Sequence, residues 1–471
     1  MSQNLNIKTF LDEDYTAYAV YRIYQRLPHI LDTLGQTQRK ILFTLAEYPE
    51  SKKFKTAEVY SKVYDNTSYL HGDMSIYNVV ENMAKPYGNN INILTTEGDF
   101  GNRTSKGAAA PRYTSTRFSQ AARIIFRKED NPILEEQEFE GKLIEPKYLL
   151  PILPVSLVNG YNAIAVGFAS KFLPRNPIDI IVEMQKALKY KKRKNAKWEE
   201  YKVGNLPPAY PFYSGNIQQD SEHSDSSAWI LTGAFHKTKK RNIIEITDLP
   251  PEASREGYIK KLKRFQDRGL IKDFTESCVK NNFKFRVKVT SDLWQKSDEE
   301  LMDILGLIDK VVENFTFLNP EGDHTNTVIK FDASGEYLKE FITIRQEYYD
   351  IRKRYQLDKL NQEILLLNEK IHFIQKVNDG DIIITRRKKK DLEEELSKKG
   401  YAEFEGNYDH LLGMKMYALT EENIEKFKKL VKEKEKEVEV LSKTATEDIH
   451  ISELEGLKKA ISPELKKKGL I

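Results

Sequence analysis

Asn90-Ile91-Asn92-Ile93-Leu94, Gly98-Asp99-Phe100-Gly101-Asn102-Arg103 and Ala108-Ala109-Ala110-Pro111-Arg112-Tyr113-Thr114 follow one another closely in this chain. The middle run is a glycine-rich loop. The last puts a phenol beside a guanidinium, after three alanines. Small residues let backbone or a ligand approach closely. Arginine offers a planar fork of donors suited to phosphate. Tyrosine becomes a nucleophile when its proton is removed and the resulting charge is stabilised. Together these point to a tyrosine, Tyr113, that attacks a phosphodiester. With 25 tyrosines in the chain an isolated Arg-Tyr pair would carry little weight, so the AAAPRYT context and the upstream GDFGNR loop decide the matter.

Working outward, 471 residues are enough for two to four domains. Charged residues make up 31%, above the usual quarter, which fits long exposed helices. A net charge of only +4 gives no global basic field, so cations meant for a polyanion must be concentrated on one face. The single cysteine, Cys278, excludes an intramolecular disulfide and a cysteine-based zinc site, and it reads as inert. No signal pattern opens the chain, and no apolar run approaches the ~20 residues of a membrane helix. The composition reads as soluble and intracellular.

Residues 1–30 read as an amphipathic helical arm, with Tyr15, Tyr18, Ala19, Ile23 and Leu27 at steps of three and four. Residues 31–125 alternate short helices with Gly- and Asn-rich turns, the layout of a helix-turn-helix or winged-helix module. Residues 126–335 are mixed. Ile152–Gly160 and Ala163–Gly167 are short apolar segments with turn punctuation, Arg241–Thr247 and Phe283–Val289 alternate like half-exposed strands, and Gln218–Ser227 reads as a polar loop. Leu357, Leu360, Ile364, Leu367, Ile371 and Ile374 keep a heptad grid, as do Ile424, Phe427, Val431, Val438 and Leu441. Residues 336–375 and 420–471 therefore read as arms of an antiparallel coiled coil, with 376–419 as a small helical cap.

Taken in order, Tyr69–Asp73, Asn89–Asn92, Gly98–Arg103, Ala108–Thr114, Ile144-Glu145-Pro146, Leu157–Gly160 and Ala163–Gly167 form a specific series. It resembles the DNA breakage-reunion core of type IIA DNA topoisomerases, nearest to eukaryotic topoisomerase II and the medium subunit of T-even-type phage enzymes. Weaker similarity extends through Ile246-Thr247-Asp248-Leu249-Pro250 to the coiled coil. The resemblance implies a multidomain α+β fold: a winged-helix catalytic domain, an α/β tower over 126–335, and a long antiparallel coiled coil ending in a helical dimer gate.

The resemblance also implies roles. Tyr113 would form a 5′-phosphotyrosyl bond and release a 3′-hydroxyl, with Arg112 stabilising transition-state charge. His71, Arg39, Lys40 and Arg26 would contact DNA phosphates, conferring affinity and salt dependence rather than sequence preference. Ile164 would wedge between base pairs, and Arg117, Arg123 and Arg127 would line the same basic surface. The chain departs from the family where Tyr69 replaces a histidine, where Leu34-Gly35-Gln36-Thr37 lacks the usual lysine and proline, and at Pro111.

No phosphate-binding glycine loop and no stretch resembling an ATPase or Toprim domain is found. Asp379-Gly380-Asp381 has the spacing of a metal pair but reads as a turn, and Asp12 and Asp14 suit helix capping. No metal site is therefore expected in this chain. Mg²⁺ and ATP are expected on a partner subunit carrying ATPase and Toprim domains. A homodimer closed by the cap follows from double-strand cleavage. The location implied is the cytoplasm with its DNA, that of the bacterial host if the chain is phage-encoded. A catalytically silent DNA-bending scaffold and a chromosome-maintenance coiled-coil protein are the other classes open to the sequence.

Overall fold

A computed structural model describes residues 7–221, 227–319, 327–404, 406–415 and 419–471. The chain divides into two compact units, Met1–Gln346 with His450–Ile471, and Glu347–Ile449. Helix and strand are mixed in the first unit, and the described part of the second is helical.

The first unit opens with helical turns over Ile7–Arg26, none of whose residues is buried. Their apolar periodicity therefore does not face a core here. Three helices follow, Gln36–Ala46, Thr56–Thr67 and Asp73–Ala84, packed through Ile41, Leu42, Leu45, Val59, Val63, Ile76 and Val80. Local chemistry sets their ends. The Gln38 side chain takes the Gly35 amide at 3.0 Å and Glu58 takes the Lys55 amide at 3.0 Å, satisfying donors that a helix start leaves open. Ser68 in the left-handed region stops the second helix. A two-stranded sheet, Phe54–Lys55 with Ser115–Thr116, joins this cluster to the segment after Tyr113.

Farther along, Pro154 starts a short helix, Val155–Asn159, where apolar composition alone reads equally as strand. Gly160, at φ +80°, turns the chain into a hairpin of Tyr161–Ile164 with Ala169–Phe172. The 15-residue helix Pro177–Lys191 buries Ile180, Ile181, Met184, Ala187 and Leu188 along one stripe. A three-stranded sheet has the order Ile308–Val312, Ala228–Thr232, Asn216–Gln219. Part of the polar segment 218–227 is thus strand rather than loop, and 222–226 lie outside the described residues. A four-stranded antiparallel sheet runs Ile271–Glu276, Phe285–Val289, Ile243–Asp248, Ala234–Lys237. Its alternating Ile244, Ile246, Phe285 and Val287 point into a core with Leu262 and Leu301, while Glu245 faces out to Arg286.

The second unit is built on Ser334–Asn378 from Glu347 onward and on Glu421–Lys443. Lys353 reaches the carbonyls of Ser442 and Thr444, Glu363 pairs with Lys434, and Ile371 and Ile374 pack with Ile424 and Val431. These two helices are therefore antiparallel. The expected single arm 420–471 is instead two helices, broken at Thr444, with Thr446–Lys467 following. Two contacts supply the reason: Lys353 captures the Thr444 carbonyl at 2.7 Å, and the Thr446 hydroxyl donates to Asp350 at 2.8 Å. Between the arms Phe373, Ile382, Leu396, Tyr401, Tyr408 and Leu411 form a small core. Residues 405 and 416–418 of the expected cap, and 1–6 of the expected arm, lie outside the described residues. Among the described residues no helix is long and apolar enough to cross a membrane.

Candidate active site

Tyr113 closes a tight turn in which its amide donates to the Ala110 carbonyl at 2.8 Å. The neighbouring Thr114 is buried, accepting the Thr56 amide at 3.0 Å and meeting the Thr56 hydroxyl at 2.8 Å. Pro111 accepts the Ala57 amide at 3.2 Å. The backbone is thus clamped on both sides of Arg112-Tyr113 to the start of the Thr56–Thr67 helix. With Thr114 turned inward, the Tyr113 side chain is left 64% exposed. The exposed Arg112 guanidinium stands 4.8 Å from the centre of the Tyr113 ring, within cation–π range.

The glycine-rich loop supports this turn. Gly98 has φ +92°, and a Cβ there would lie 2.9 Å from the Tyr113 carbonyl oxygen. Only glycine meets both demands. Asp99 accepts the Gly101 amide at 2.8 Å and, through its carbonyl, the Ala109 amide at 2.8 Å. Arg103, at the end of the loop, points inward. It pairs with Asp248 at 2.7 Å, donates to the Phe212 and Leu249 carbonyls and lies over the rings of Tyr213 and Phe283. Its amide bonds Asn281 at 3.1 Å, and the Thr104 amide bonds the Lys280 carbonyl at 3.0 Å. The loop is therefore fastened to the four-stranded sheet.

The asparagines of the first run are structural. Asn90 donates to the carbonyls of Val158, Arg175 and Ala209, and the Asn159 side chain exchanges two bonds with the Ile91 backbone. Asn92 donates to the Ala84 carbonyl at 2.9 Å. From this hub the chain runs through Leu94 and Glu97, which bridge to Phe118 and Ser115.

A second group of candidates gathers elsewhere in the unit. His71 Nε2 lies 2.8 Å from the Tyr21 hydroxyl and 2.6 Å from Gln25 Nε2, with Tyr69 edge-on to its ring. When both neighbours donate, Nε2 accepts and the imidazole proton sits on Nδ1. Arg26 is exposed at the end of the same helix, and its carbonyl takes the Tyr161 hydroxyl at 2.8 Å. Tyr161 begins the hairpin that carries Ile164, which is 77% exposed. A groove of about 460 Å³, lined by Gln25, Arg26, Gln38, Asn82 and Asn162, runs along this hairpin.

Arg39 and Lys40 depart from the expectation of free phosphate contacts. Both are buried. Arg39 Nε pairs with Asp32 at 2.5 Å, and Lys40 pairs with Glu145 at 2.7 Å while donating to the Thr67 carbonyl at 2.8 Å. The helix turns these side chains toward the core with Ile41 and Leu42, and a buried charge survives only when paired. Burial pulls Lys40 down and pushes Glu145 up, and the attraction between them opposes both shifts. Close by, burial holds His29 neutral, its pKa lowered to about 4, with Asp32 opposing and Arg39 reinforcing. Arg117 and Arg123 donate to the Glu50 and Tyr48 carbonyls, and Arg127 pairs with Glu129 and Glu453, so these three are also partly committed.

Among the described residues no three His, Cys, Asp or Glu side chains gather in a way that could hold a metal ion. Asp381 pairs with Lys376 at 2.7 Å, beside the turn at Gly380.

A family model that describes the A subunits of DNA gyrase/topoisomerase IV matches residues 26–455, which include every candidate from Arg26 to Ile164. The chain belongs to this DNA gyrase/topoisomerase IV family. It is 28% identical to the DNA topoisomerase medium subunit of Enterobacteria phage T4, over 97% of this chain and 99% of that one. It is 27% identical to DNA topoisomerase 2 of Plasmodium falciparum over 98% of its own length, but spans 35% of that protein. The solved DNA-binding, cleavage and re-ligation domain of Plasmodium falciparum topoisomerase II is similar at TM-score 0.84 and 27% identity, covering 98% of this chain and 65% of that one. The chain thus spans about a third of this eukaryotic relative and nearly all of the phage protein.

Set on this family's core, several anchors had no local signal in the sequence. Thr56, Tyr161 and Lys468 act through partners far away in the chain, and Asp32 adds to its near partner Arg39 a bond from the distant Leu149 amide. Asp248 lies in the Ile-Thr-Asp-Leu-Pro run, yet nothing local tied it to Arg103.

Proposed function

We propose that this chain is the DNA-cleaving subunit of a type II DNA topoisomerase. The carrying observation is the exposed Tyr113, stacked with Arg112 on a turn whose backbone is clamped on both sides. In this reading the phenol oxygen attacks a DNA phosphorus. The bond from phosphorus to the 3′ oxygen breaks, the phenol proton leaves to solvent, and the departing oxygen gains a proton to become a 3′-hydroxyl. One phosphoester replaces another, so the reverse attack reseals the strand without an energy source at that step. Arg112 offers its donors to the charge that builds on the phosphoryl oxygens. His71 and Arg26 bind the backbone, and Ile164 unstacks a base step to bend the duplex.

The three helices and short sheet around Tyr113 are read as a winged helix, and the antiparallel helices of the second unit as a coiled coil closing a homodimer. Two copies place one tyrosine on each strand. In this reading Mg²⁺ and ATP are held by a partner polypeptide. The name of the phage relative, a medium subunit, supports that division of labour.

The decisive experiment mixes the chain with such a partner, Mg²⁺ and end-labelled duplex, then denatures and digests the protein. A labelled peptide ending on Tyr113 is expected, absent in Tyr113→Phe. The chain alone, given Mg²⁺ and ATP, is expected not to relax supercoiled plasmid. DNA bending without any adduct would instead leave a silent scaffold.

A further inference from the structure

Lys468 is almost the last residue of the chain and lies outside the matched family region. It follows the Thr446–Lys467 helix and is only 4% exposed. Its ammonium donates to the Asn89 carbonyl at 2.9 Å, the Asn90 carbonyl at 3.2 Å and the Asn92 side-chain oxygen at 2.7 Å, and it pairs with Glu464 at 2.6 Å. An ammonium has three protons and accepts nothing, so this nest of oxygens uses it fully. Burying it has meaning only if the oxygens stay where they are.

Those oxygens belong to the asparagine hub. Asn90 and Ile91 hold the Val155–Asn159 helix that leads into the Ile164 hairpin. Residues 93–97 lead from the hub to the bridge between Glu97 and Ser115, two residues beyond Tyr113. The terminal segment is tied in twice more, since the Phe212 amide donates to the Lys468 carbonyl at 2.7 Å and Asn176 donates to the Leu470 carbonyl at 2.6 Å.

We propose that Lys468 is a positioning residue for strand cleavage: by gathering Asn89, Asn90 and Asn92 around one charge, it sets the register from which both the Tyr113 turn and the Ile164 hairpin hang. This rests on the cleavage reading above. An ångström of misplacement at a reacting group can cost about a hundredfold in rate, so a residue that never touches DNA can govern the reaction.

The test uses the full chain with its metal-bearing partner. Lys468→Met is expected to lower the rate of adduct formation per bound duplex by at least about tenfold. Amide exchange should speed up at 91–97 and 115–117 and stay unchanged at 244–246. Lys468→Arg, which keeps a cation but not the compact ammonium, should restore only part of the rate. Should the methionine variant fail to fold, Lys468→Gln and Lys468→Arg carry the comparison. An adduct rate within twofold of the unsubstituted chain, or exchange that rises uniformly, overturns the proposal. If the unsubstituted chain forms no adduct while exchange rises only at 91–97 and 115–117, the cleavage reading falls and the mechanical link stands.

Discussion

A Cβ placed on Gly98 would sit 2.9 Å from the carbonyl oxygen of Tyr113 and 3.3 Å from the Cα of Thr114. The glycine loop therefore lies directly against the backbone that carries the exposed phenol. Gly98→Ala combines a left-handed backbone with this collision, at a cost of about 1–3 kcal/mol. The backbone of Tyr113 has to yield. The expected outcome is a modest loss of thermal stability with a fall in adduct yield of at least about tenfold. Thermal unfolding and adduct counting on one preparation check it. A variant as cleavage-competent as the parent would show that the turn position is not set by this contact.

Lys40 separates two roles that the sequence could not. As a DNA contact, its loss would weaken binding and reduce the slope of affinity against salt by about one ion. As the buried partner of Glu145, its loss strands a carboxylate in the core. Lys40→Ala should then cost about 3–5 kcal/mol of stability. The double variant Lys40→Met with Glu145→Leu should recover most of that, because a well-packed apolar pair of similar size is often neutral. Chemical denaturation gives the first quantity and DNA titration at several salt concentrations the second. Unchanged stability with a shallower salt slope would restore the phosphate role.

The contrast marks what was legible. Tyr113 is singled out by its motif context and Ile164 only by the family resemblance, while the strands around Ile246 and Phe285 and the turn at Gly380 follow from residue type and local spacing. The burial of Arg39 and Lys40 does not, since a basic pair on a helix looks the same whether it meets water or an acid. Asp32, which pairs with Arg39, lies only seven residues away in the loop before the helix, whereas Glu145, which pairs with Lys40, is more than a hundred residues away. Heptad spacing suggested the helix pairing of the second unit but not the break at Thr444, which depends on Lys353 and Asp350 across the helix pair. Lys468 sits in a run of lysines whose pattern suggests only a solvated face. What was hidden was the charged or polar partner, seven residues away for Arg39 and about ninety or more for Lys40, Thr444 and Lys468.

His29 makes stability depend on mildly acidic pH. Burial depresses its folded pKa from 6.5 to about 4. The unfolded chain therefore binds a proton between these values while the folded chain does not. The contribution is fully present above about pH 6.5 and is lost as pH falls toward 4. A gap of this size corresponds to about 3 kcal/mol. Denaturation midpoints between pH 7 and 4 should decline with this slope, and less steeply in His29→Gln, whose side chain does not titrate. Identical slopes in the two proteins would place the dependence elsewhere.

Ile164 stands at the tip of its hairpin with most of its side chain in water, although Tyr161 and Phe172 at the base pack firmly and Tyr161 is tied to Arg26. A branched apolar residue held out on a rigid support suits insertion between base pairs, because the base fixes where the wedge goes. Truncating an exposed side chain should change stability by no more than about 0.5 kcal/mol. Unstacking a step costs a few kcal/mol, which the wedge must offset. Ile164→Ala should therefore bind duplex DNA with nearly the same salt slope but bend it less, read as a longer distance between fluorophores at the duplex ends. Adduct formation should fall with the bend. Ile164→Met, which keeps an apolar probe of similar reach, should retain much of both. If the alanine variant bends DNA as the parent does, the tip of this hairpin is not the wedge.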